Sequence, residues 1–211
     1  MSLGRCQEAL SLLQHNAETL ERVLGPGDMH TLNCLFVLST CLDELSVQQR
    51  QLGSAASARL SDEAEISYRK LLECCQTTLG RDHPTTLTAG ANLGIFLGSL
   101  HRHHQALPFL QEVYDVHLHL KGADHLDTLK SQKDLGSCFW VSGKFSAALP
   151  MLKSAADGLQ KLLGDEHPLT CSAQECLAGI VGEARMAIAL RRDLDRQAAL
   201  PAAALAAERN G

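Results

Sequence analysis

A nine-residue motif that recurs four times is the strongest constraint on how this 211-residue chain can fold. Its glycines stand at positions 25, 80, 122 and 164, so the intervals are 55, 42 and 42 residues, and the first equals 42 plus a 13-residue insertion. A fixed period of this length predicts a repeat protein in which each unit packs on its neighbours. The four copies are Leu24-Gly-Pro-Gly-Asp-Met-His-Thr-Leu32, Leu79-Gly-Arg-Asp-His-Pro-Thr-Thr-Leu87, Lys121-Gly-Ala-Asp-His-Leu-Asp-Thr-Leu129 and Leu163-Gly-Asp-Glu-His-Pro-Leu-Thr-Cys171.

The composition favours helices. Leu (38) and Ala (26) make up about 30% of the chain, whereas Val (7) and Ile (4) are scarce. Leu and Ala are good helix formers, and β-branched residues are the ones that favour strands. We therefore expect an all-α fold rather than an all-β or α/β fold.

Each repeat is predicted to contain two helices. The glycine of the motif suits the left-handed position just past a helix end. Pro84 and Pro168 suit the first turn of the next helix, where no hydrogen-bond donor is lost. In the second unit the pattern predicts helices over about 84–99 and 103–120. In the third unit the turn between the two helices is Ser142-Gly143-Lys144.

The recurring polar residues of the motif are expected to be structural. The acidic residues occur once per repeat, so they are spaced along the chain rather than paired for catalysis, and we expect them to cap the following helix. The histidines recur with the same period and are expected to pack or hydrogen-bond between units. The acidic residues are Asp82, Asp124 and Glu166, and the histidines are His83, His125 and His167.

The two-helix unit contains small residues twelve positions apart: Gly94 with Ala106, and Gly136 with Ala148. This unit resembles the tetratricopeptide repeat, and the 42-residue period with its Gly-x-Asp/Glu-His-Pro link resembles the kinesin light chain and nephrocystin type. The resemblance covers about residues 4–181 and implies a right-handed α-solenoid of antiparallel helix pairs. The paired asparagines of kinesin light chain repeats survive only as Asn92, and the heptad segment that joins light chain to heavy chain is absent, so no motor role is implied.

The repeat register divides the chain into six parts. We expect an unpaired repeat helix or N-terminal cap over 1–23, which suggests either a fragment of a larger protein or an improvised cap. The insertion near 46–60 is either a solvated loop or lengthened helix ends, or else a partner-binding loop. The remaining parts are unit 1 over 24–78, unit 2 over 79–120, unit 3 over 121–162, unit 4 with a C-terminal cap over 163–200 (helical over 185–197), and a flexible tail over 201–211.

Charge and cysteine use limit the partners and the compartment. A formal net charge of -5 does not suit nucleic-acid binding, which needs a concentration of Lys and Arg. No apolar run approaches the roughly 18–20 residues that span a bilayer, and the start lacks the pattern of a secretory signal, so we expect no membrane association. The eight cysteines form no C-x-x-C pair and sit in Leu-rich patterns, which indicates reduced thiols and a cytoplasmic protein.

We find no sequence motif for catalysis, so we predict a chain that is not an enzyme and needs no cofactor. A nucleophile elbow, a phosphate-binding glycine loop and the H-E-x-x-H pattern are all missing from the sequence. Ten histidines invite a metal hypothesis. His117 and His119 cannot both bind one metal ion, however, because residues two apart on a helix point in different directions. We expect no metal site.

The resemblance implies that the first helix of each unit lines a concave groove. Lys130 and Lys133 lie three apart on one helix face, so both could meet an acidic group of a ligand. Trp140 either contributes a large contact area to the groove or packs between helices. The expected groove residues are Asn33, Phe36, Val37, Thr40, Asp43, Thr88, Ala91, Asn92, Ile95, Ser99, Lys130, Lys133, Asp134, Ser137, Trp140, Ser172 and Glu175.

Two functional classes follow from this interpretation. The first, which we favour, is a non-catalytic scaffold that binds a peptide segment of a partner protein in the groove. The second is an interaction arm of a larger enzyme or regulatory protein whose activity lies outside this chain. A structural alternative is self-association through the open N-terminal helix, which carries Leu10, Leu13, Ala17 and Leu20 at helical spacing.

Overall fold

The computed structural model describes residues 3–182 and 186, and the side chains from residue 9 onward. The described part is helical throughout its regular structure and contains no strand, as the composition predicts. The predicted C-terminal cap beyond residue 182 and the tail over 201–211 lie outside the described residues, Met186 excepted. The helices are α1 (Leu3–Leu24), α2 (Met29–Gln51), α3 (Ala56–Leu79), α4 (Pro84–Ser99), α5 (His103–Lys121), α6 (Leu126–Val141), α7 (Phe145–Leu163) and α8, which begins at 168 and is described to 182.

Consecutive helices pack against each other, from α1 on α2 through to α6 on α7, and α4 also contacts α6. Packing that occurs mainly between consecutive helices is that of an α-solenoid built from helix pairs. The first helices of the pairs are α2, α4, α6 and α8, and the second helices are α3, α5 and α7, with α1 as an additional second helix. The predicted helices over 84–99 and 103–120 agree with α4 and α5 to within one residue.

The link between units has the same structure each time. Gly80, Gly122 and Gly164 have φ of 89°, 83° and 85°, but their ψ values of 166°, 169° and 172° place them outside the left-handed helical region that the sequence predicts. This combination of positive φ and extended ψ is almost confined to glycine. The requirement for glycine is therefore stricter here than at an ordinary helix end.

The prediction that Asp82, Asp124 and Glu166 cap the following helices is wrong. The caps are the next residues: Nδ1 of His83 and of His125 accepts a hydrogen bond from the backbone N–H two positions later, at 3.2 and 3.1 Å. His167 does the same at 3.2 Å, and Asp28 takes this place in the first unit at 2.8 Å. The proline or its substitute then follows directly at the first helical position, so the acidic residues lie one position too early to cap.

The two helices of a unit meet at the small residues that the register identifies. Ala106 and Ala148 are fully buried, and Gly94 and Gly136 face the same contact. A Cβ atom at position 94 would lie 2.7 Å from Cγ of Leu110, and one at position 136 would lie 2.9 Å from Cγ of Leu152. These distances are too short for a methyl group, so glycine is needed for the helices to approach this closely.

The turn within each of units 1, 2 and 3 also uses a positive φ. Gly53, His101 and Gly143 have φ of 66°, 60° and 77°, and each lies two residues past the end of a first helix. The following residue donates its N–H back into the helix, as in Arg102 N to Leu97 O at 3.0 Å, which is a Schellman-type ending. His101 therefore occupies a position that glycine fills in the other two units.

The insertion of the first unit lengthens two helices rather than forming a long loop. The segment over 46–60 contains the end of α2, a turn over 52–55 and the start of α3. As a result α2 has 23 residues where α4 and α6 have 16. Of the alternatives that the sequence allows, lengthened helix ends is the one that the structure contains.

The sequence analysis predicts that the apolar stripe of α1 is open to solvent, and the structure contradicts this prediction. Ala17 is buried, and Leu10 and Leu13 are partly buried against the main core. Cys34 Sγ on α2 contacts the carbonyl oxygen of Leu13 at 3.7 Å, which places this face of α1 on α2. The stripe serves as the packing face of α1, because the first helix of unit 1 covers it.

The described cysteine side chains form no disulfide with one another. They are Cys34, Cys41, Cys74, Cys75, Cys138, Cys171 and Cys176. Burial is the main cause that raises the pKa of the Cys75 thiol to about 11. Within residues 3–182, no helix combines the length and apolar character that a membrane crossing requires.

The close approach at Gly94 can be tested within one helix. We expect Gly94→Ala to lower the free energy of unfolding by about 1–3 kcal/mol, because the added methyl group must displace Leu110. Gly98→Ala is the matched control, since no atom lies within 4 Å of the methyl position. It should be neutral or stabilise by up to about 1 kcal/mol through helix propensity. Urea unfolding measures both, and equal effects would contradict the packing argument.

The turn at His101 provides a second prediction. His101→Gly should raise the free energy of unfolding by about 1 kcal/mol, because glycine adopts a positive φ without steric cost. Gly143→Ala at the equivalent turn should lower it by a similar amount. Thermal unfolding of both variants is the measurement. A loss of stability in His101→Gly would show that the contact between the His101 and His103 rings, with centroids 5.9 Å apart, outweighs the strain.

Candidate functional site

The first helices bury one face and expose the opposite one. On α4, Leu93 and Leu97 are fully buried, whereas Thr88 and Ile95 are exposed and Asn92 is half-buried. On α6, Lys130 is exposed, and Lys133, Asp134 and Ser137 are half-buried. The predicted groove residues of these two helices therefore share one side of the solenoid, opposite the side that packs on the second helices.

A depression with a volume of about 360 Å³ lies between α4 and α6. Thr88, Asn92 and Ile95 line it from α4, and Lys130 and Asp134 line it from α6. All five were expected in the groove. The walls thus provide a hydroxyl, a side-chain amide, an apolar side chain and one charge of each sign.

The depression is also lined by residues that the sequence analysis did not place there: His117 and Lys121 from α5, and Asp127 from the start of α6. Lys121 Nζ lies 2.5 Å from Asp127 Oδ2, and this hydrogen bond is the main cause that lowers the pKa of the Asp127 carboxyl. Burial is the main cause that lowers the pKa of His117, whose Nδ1 is 3.3 Å from Ser131 Oγ. The depression therefore contains an ion pair and a histidine whose charged form is disfavoured.

A second depression, of about 440 Å³, continues along the same two helices. It shares Ile95 and Asp134 with the first and adds Ser137 and Val141 from α6. Lys133 also lines it and is paired with Asp134, Nζ to Oδ1 at 3.1 Å. We call the two depressions together the α4–α6 groove.

The predicted residues of α2 and α8 do not line either depression. Asn33 and Phe36 are exposed on α2, and Thr40 is half-buried with its hydroxyl bonded to the carbonyl oxygens of Phe36 and Val37. Glu175 is exposed on α8. Ser137 Oγ donates to Cys176 Sγ at 3.5 Å, which ties α6 to α8 at the end of the groove.

Trp140 packs between helices, which is one of the two alternatives that the sequence leaves open. It is half-buried and packs against a cluster of Ala148, Leu152 and Ile180. A Cβ atom at position 179 would lie 2.5 Å from its Cη2 atom, so the indole rests on the backbone of α8 at Gly179. Trp140 lines neither depression of the α4–α6 groove.

The residues missed by the sequence analysis come from second helices and turns as well as from α4 and α6 themselves. His103, Leu110, His117 and Lys121 belong to α5, and His101 to the turn before it. They reach the groove through the space between α4 and α6, which depends on the spacing of the helices. The one signal in the sequence for these residues was that they belong to the same 42-residue repeat as the predicted groove residues. Among the described side chains, no three His, Cys, Asp or Glu residues are grouped as a metal site would need.

A sequence model of the tetratricopeptide repeat matches residues 49–118 and 87–161. Together the two matches span 49–161, which is more than half of the chain. The chain belongs to the tetratricopeptide repeat family. Such repeats are generally protein-interaction modules, and no catalytic family is indicated.

Solved structures of the same fold include two of a Podosopora anserina protein described as a candidate kinesin light chain with nearly identical TPR-like repeats. One of them, a single-residue variant of that protein, has a TM-score of 0.67 and 20% identity, covering 90% of this chain and 85% of that chain. The other structure has a TM-score of 0.65 at the same identity and coverage. Curated proteins provide no significant match to the sequence.

The packing of Trp140 predicts its mutational behaviour. Trp140→Ala should lower the free energy of unfolding by about 2–4 kcal/mol, because it removes the indole that joins α6 to α8. Gly179→Ala should also destabilise, since the methyl group would displace the same ring. Chemical denaturation followed by circular dichroism measures both. Unchanged stability in Trp140→Ala would contradict a packing role and would favour the alternative that Trp140 contributes to the groove.

Proposed function

We propose that this chain is a cytoplasmic, non-catalytic scaffold that binds an extended peptide segment of a partner protein in the α4–α6 groove. The observation that supports this most directly is the continuity of the two depressions through Ile95 and Asp134. A continuous groove along two helices suits an extended segment rather than a compact small molecule. The family's general role in protein interaction agrees with this proposal.

The groove offers separate chemistry for backbone and side chains of a peptide. The half-buried amide of Asn92 can both donate to and accept from a peptide bond, without preference for sequence. Ile95 and Val141 are about half exposed in the second depression and can cover an apolar side chain. Lys130 is exposed in the first depression and can meet an acidic group.

Lys133 would act differently from Lys130. Its ammonium group is already paired with Asp134, so an acidic ligand must compete with that carboxylate. We therefore propose Lys130 as the main cationic contact and Lys133 as a secondary one. Asn33, Phe36 and Thr40 on α2 and Glu175 on α8 would extend the contact surface beyond the α4–α6 groove.

The test begins with a pull-down from cell lysate and identification of the bound segment, followed by its affinity for groove variants. Lys130→Glu should weaken binding of an acidic segment by about tenfold at low salt, with a smaller effect at high salt because exposed charges are screened. Asn92→Ala should weaken binding by about 0.5–1.5 kcal/mol through loss of backbone hydrogen bonds.

The matched control is Lys153→Glu, an equal charge change at an exposed position on α7 that lines neither depression. Its affinity should equal that of the wild-type chain. If Asn92→Ala, Lys130→Glu and Lys133→Glu all leave the affinity unchanged, the partner surface lies elsewhere on the solenoid and the proposal fails.

A further inference from the structure

A separate depression, of about 300 Å³, lies on the opposite side of α2 from Asn33 and Phe36. Its floor is formed by Leu35, Leu38 and Leu42, whose side chains face α1 and α3. Its walls come from α1 and α3, including Ala17, Glu18, Ile66 and Ser67. We call it the α1–α3 depression.

One large side chain of the repeat is replaced by serine at this depression. In the 42-residue register, Ser67 of α3 corresponds to Phe109 of α5 and Met151 of α7. Phe109 and Met151 are partly buried against the core. Beside Phe109, a partly corresponding space between α3 and α5 has a volume of only about 10 Å³. The short side chain of Ser67 instead forms a hydrogen bond with Ser39 Oγ at 2.8 Å, and the space above the three leucines is left unfilled.

The rim of the depression is acidic. Glu18, Glu21 and Glu63 line it against a single Lys70. Lys70 pairs with Glu21 at 2.5 Å, and Glu63 pairs at 3.2 Å with Arg59, whose side chain is 81% exposed. Exposed pairs of this kind contribute little, so their carboxylates can accept other cations at small cost. Ile66 is 67% exposed at the same rim and adds apolar surface.

We propose that the α1–α3 depression binds a protein partner that inserts one large apolar side chain flanked by Lys or Arg. The apolar side chain takes the place that Phe109 and Met151 fill in the other units, and the flanking cations meet the carboxylates of Glu18, Glu21 and Glu63. This surface is independent of the α4–α6 groove, because the two lie on opposite faces of the first helices. One chain therefore offers two partner sites of different chemistry.

Isoleucine methyl NMR tests this directly, because Ile66 reports on the depression and Ile95 on the groove. The probes are three capped tripeptides, Ac-Lys-Phe-Lys-NH2, Ac-Glu-Phe-Glu-NH2 and Ac-Lys-Ala-Lys-NH2. The first should shift the Ile66 signal saturably in the millimolar range. The second should bind about tenfold more weakly because two favourable charge contacts become repulsive, and the third should cause no saturable shift. The Ile95 signal should not follow the Ile66 titration.

Two variants and a control complete the experiment. Ser67→Met should abolish the Ile66 shift by filling the space, as methionine does at position 151, whereas Ser67→Ala should retain it. Glu18→Lys, at an exposed position, should weaken the first probe severalfold and remains informative if Ser67→Met does not fold. The proposal is overturned if the three probes act alike, if Ac-Lys-Phe-Lys-NH2 gives no saturable shift, or if the shift persists in Ser67→Met.

A second copy of the chain is the competing occupant. Phe145 is 46% exposed and follows Lys144, so another molecule could present the same chemistry. A concentration-dependent Ile66 shift in the protein alone, removed by Phe145→Ser, would assign the depression to self-association and overturn the proposal. A concentration-independent signal in the protein alone, with the expected response to the first probe, supports a separate partner.

Discussion

The link between one helix pair and the next is the constraint on which the rest of the structure depends. At each link after the first unit, a glycine with positive φ and extended ψ ends one helix, and a histidine three residues later caps the next. Both requirements are local, so the links at 80–83, 122–125 and 164–167 have the same length and the same caps. Because the links are alike, each unit has the same position relative to the unit before it. Local conformational requirements at the links therefore produce a solenoid.

That placement creates the surfaces that we assign to binding. Within a unit, Gly94 and Gly136 allow α4 and α6 to pack closely on their second helices. The contact between α4 and α6 is much less extensive. The α4–α6 groove is the space left between them. The α1–α3 depression differs in origin, because it lies where the size of the side chains changes between units, as at Ser67.

Much of the fold could be predicted from the sequence, because Gly, Pro and the Leu pattern mark the helix ends locally. The caps could not, since intrinsic preference favours Asp over His and the true cap lies one residue later in the register. Several residues of α4 and α6 that line the groove, such as Asn92 and Lys130, were predicted, because the resemblance to tetratricopeptide repeats assigns the first helices to the groove and the repeat register selects their faces. His117, Lys121 and Asp127 were not, because their access to the groove depends on the gap between two helices. The difference between Ser67 and Phe109 is visible in the sequence, but its consequence appears only when the space around it is known.

Site-specific photo-crosslinking tests the central claim, that the partner segment lies in the α4–α6 groove, most directly. Benzoylphenylalanine at position 88 would stand on the groove side of α4, and at position 153 it would stand on an exposed face of α7 away from the groove. With the segment identified by pull-down, we expect irradiation to join it to position 88 at one short stretch of its sequence, with little product at position 153. Crosslinking from position 153 but not from position 88 would contradict the account.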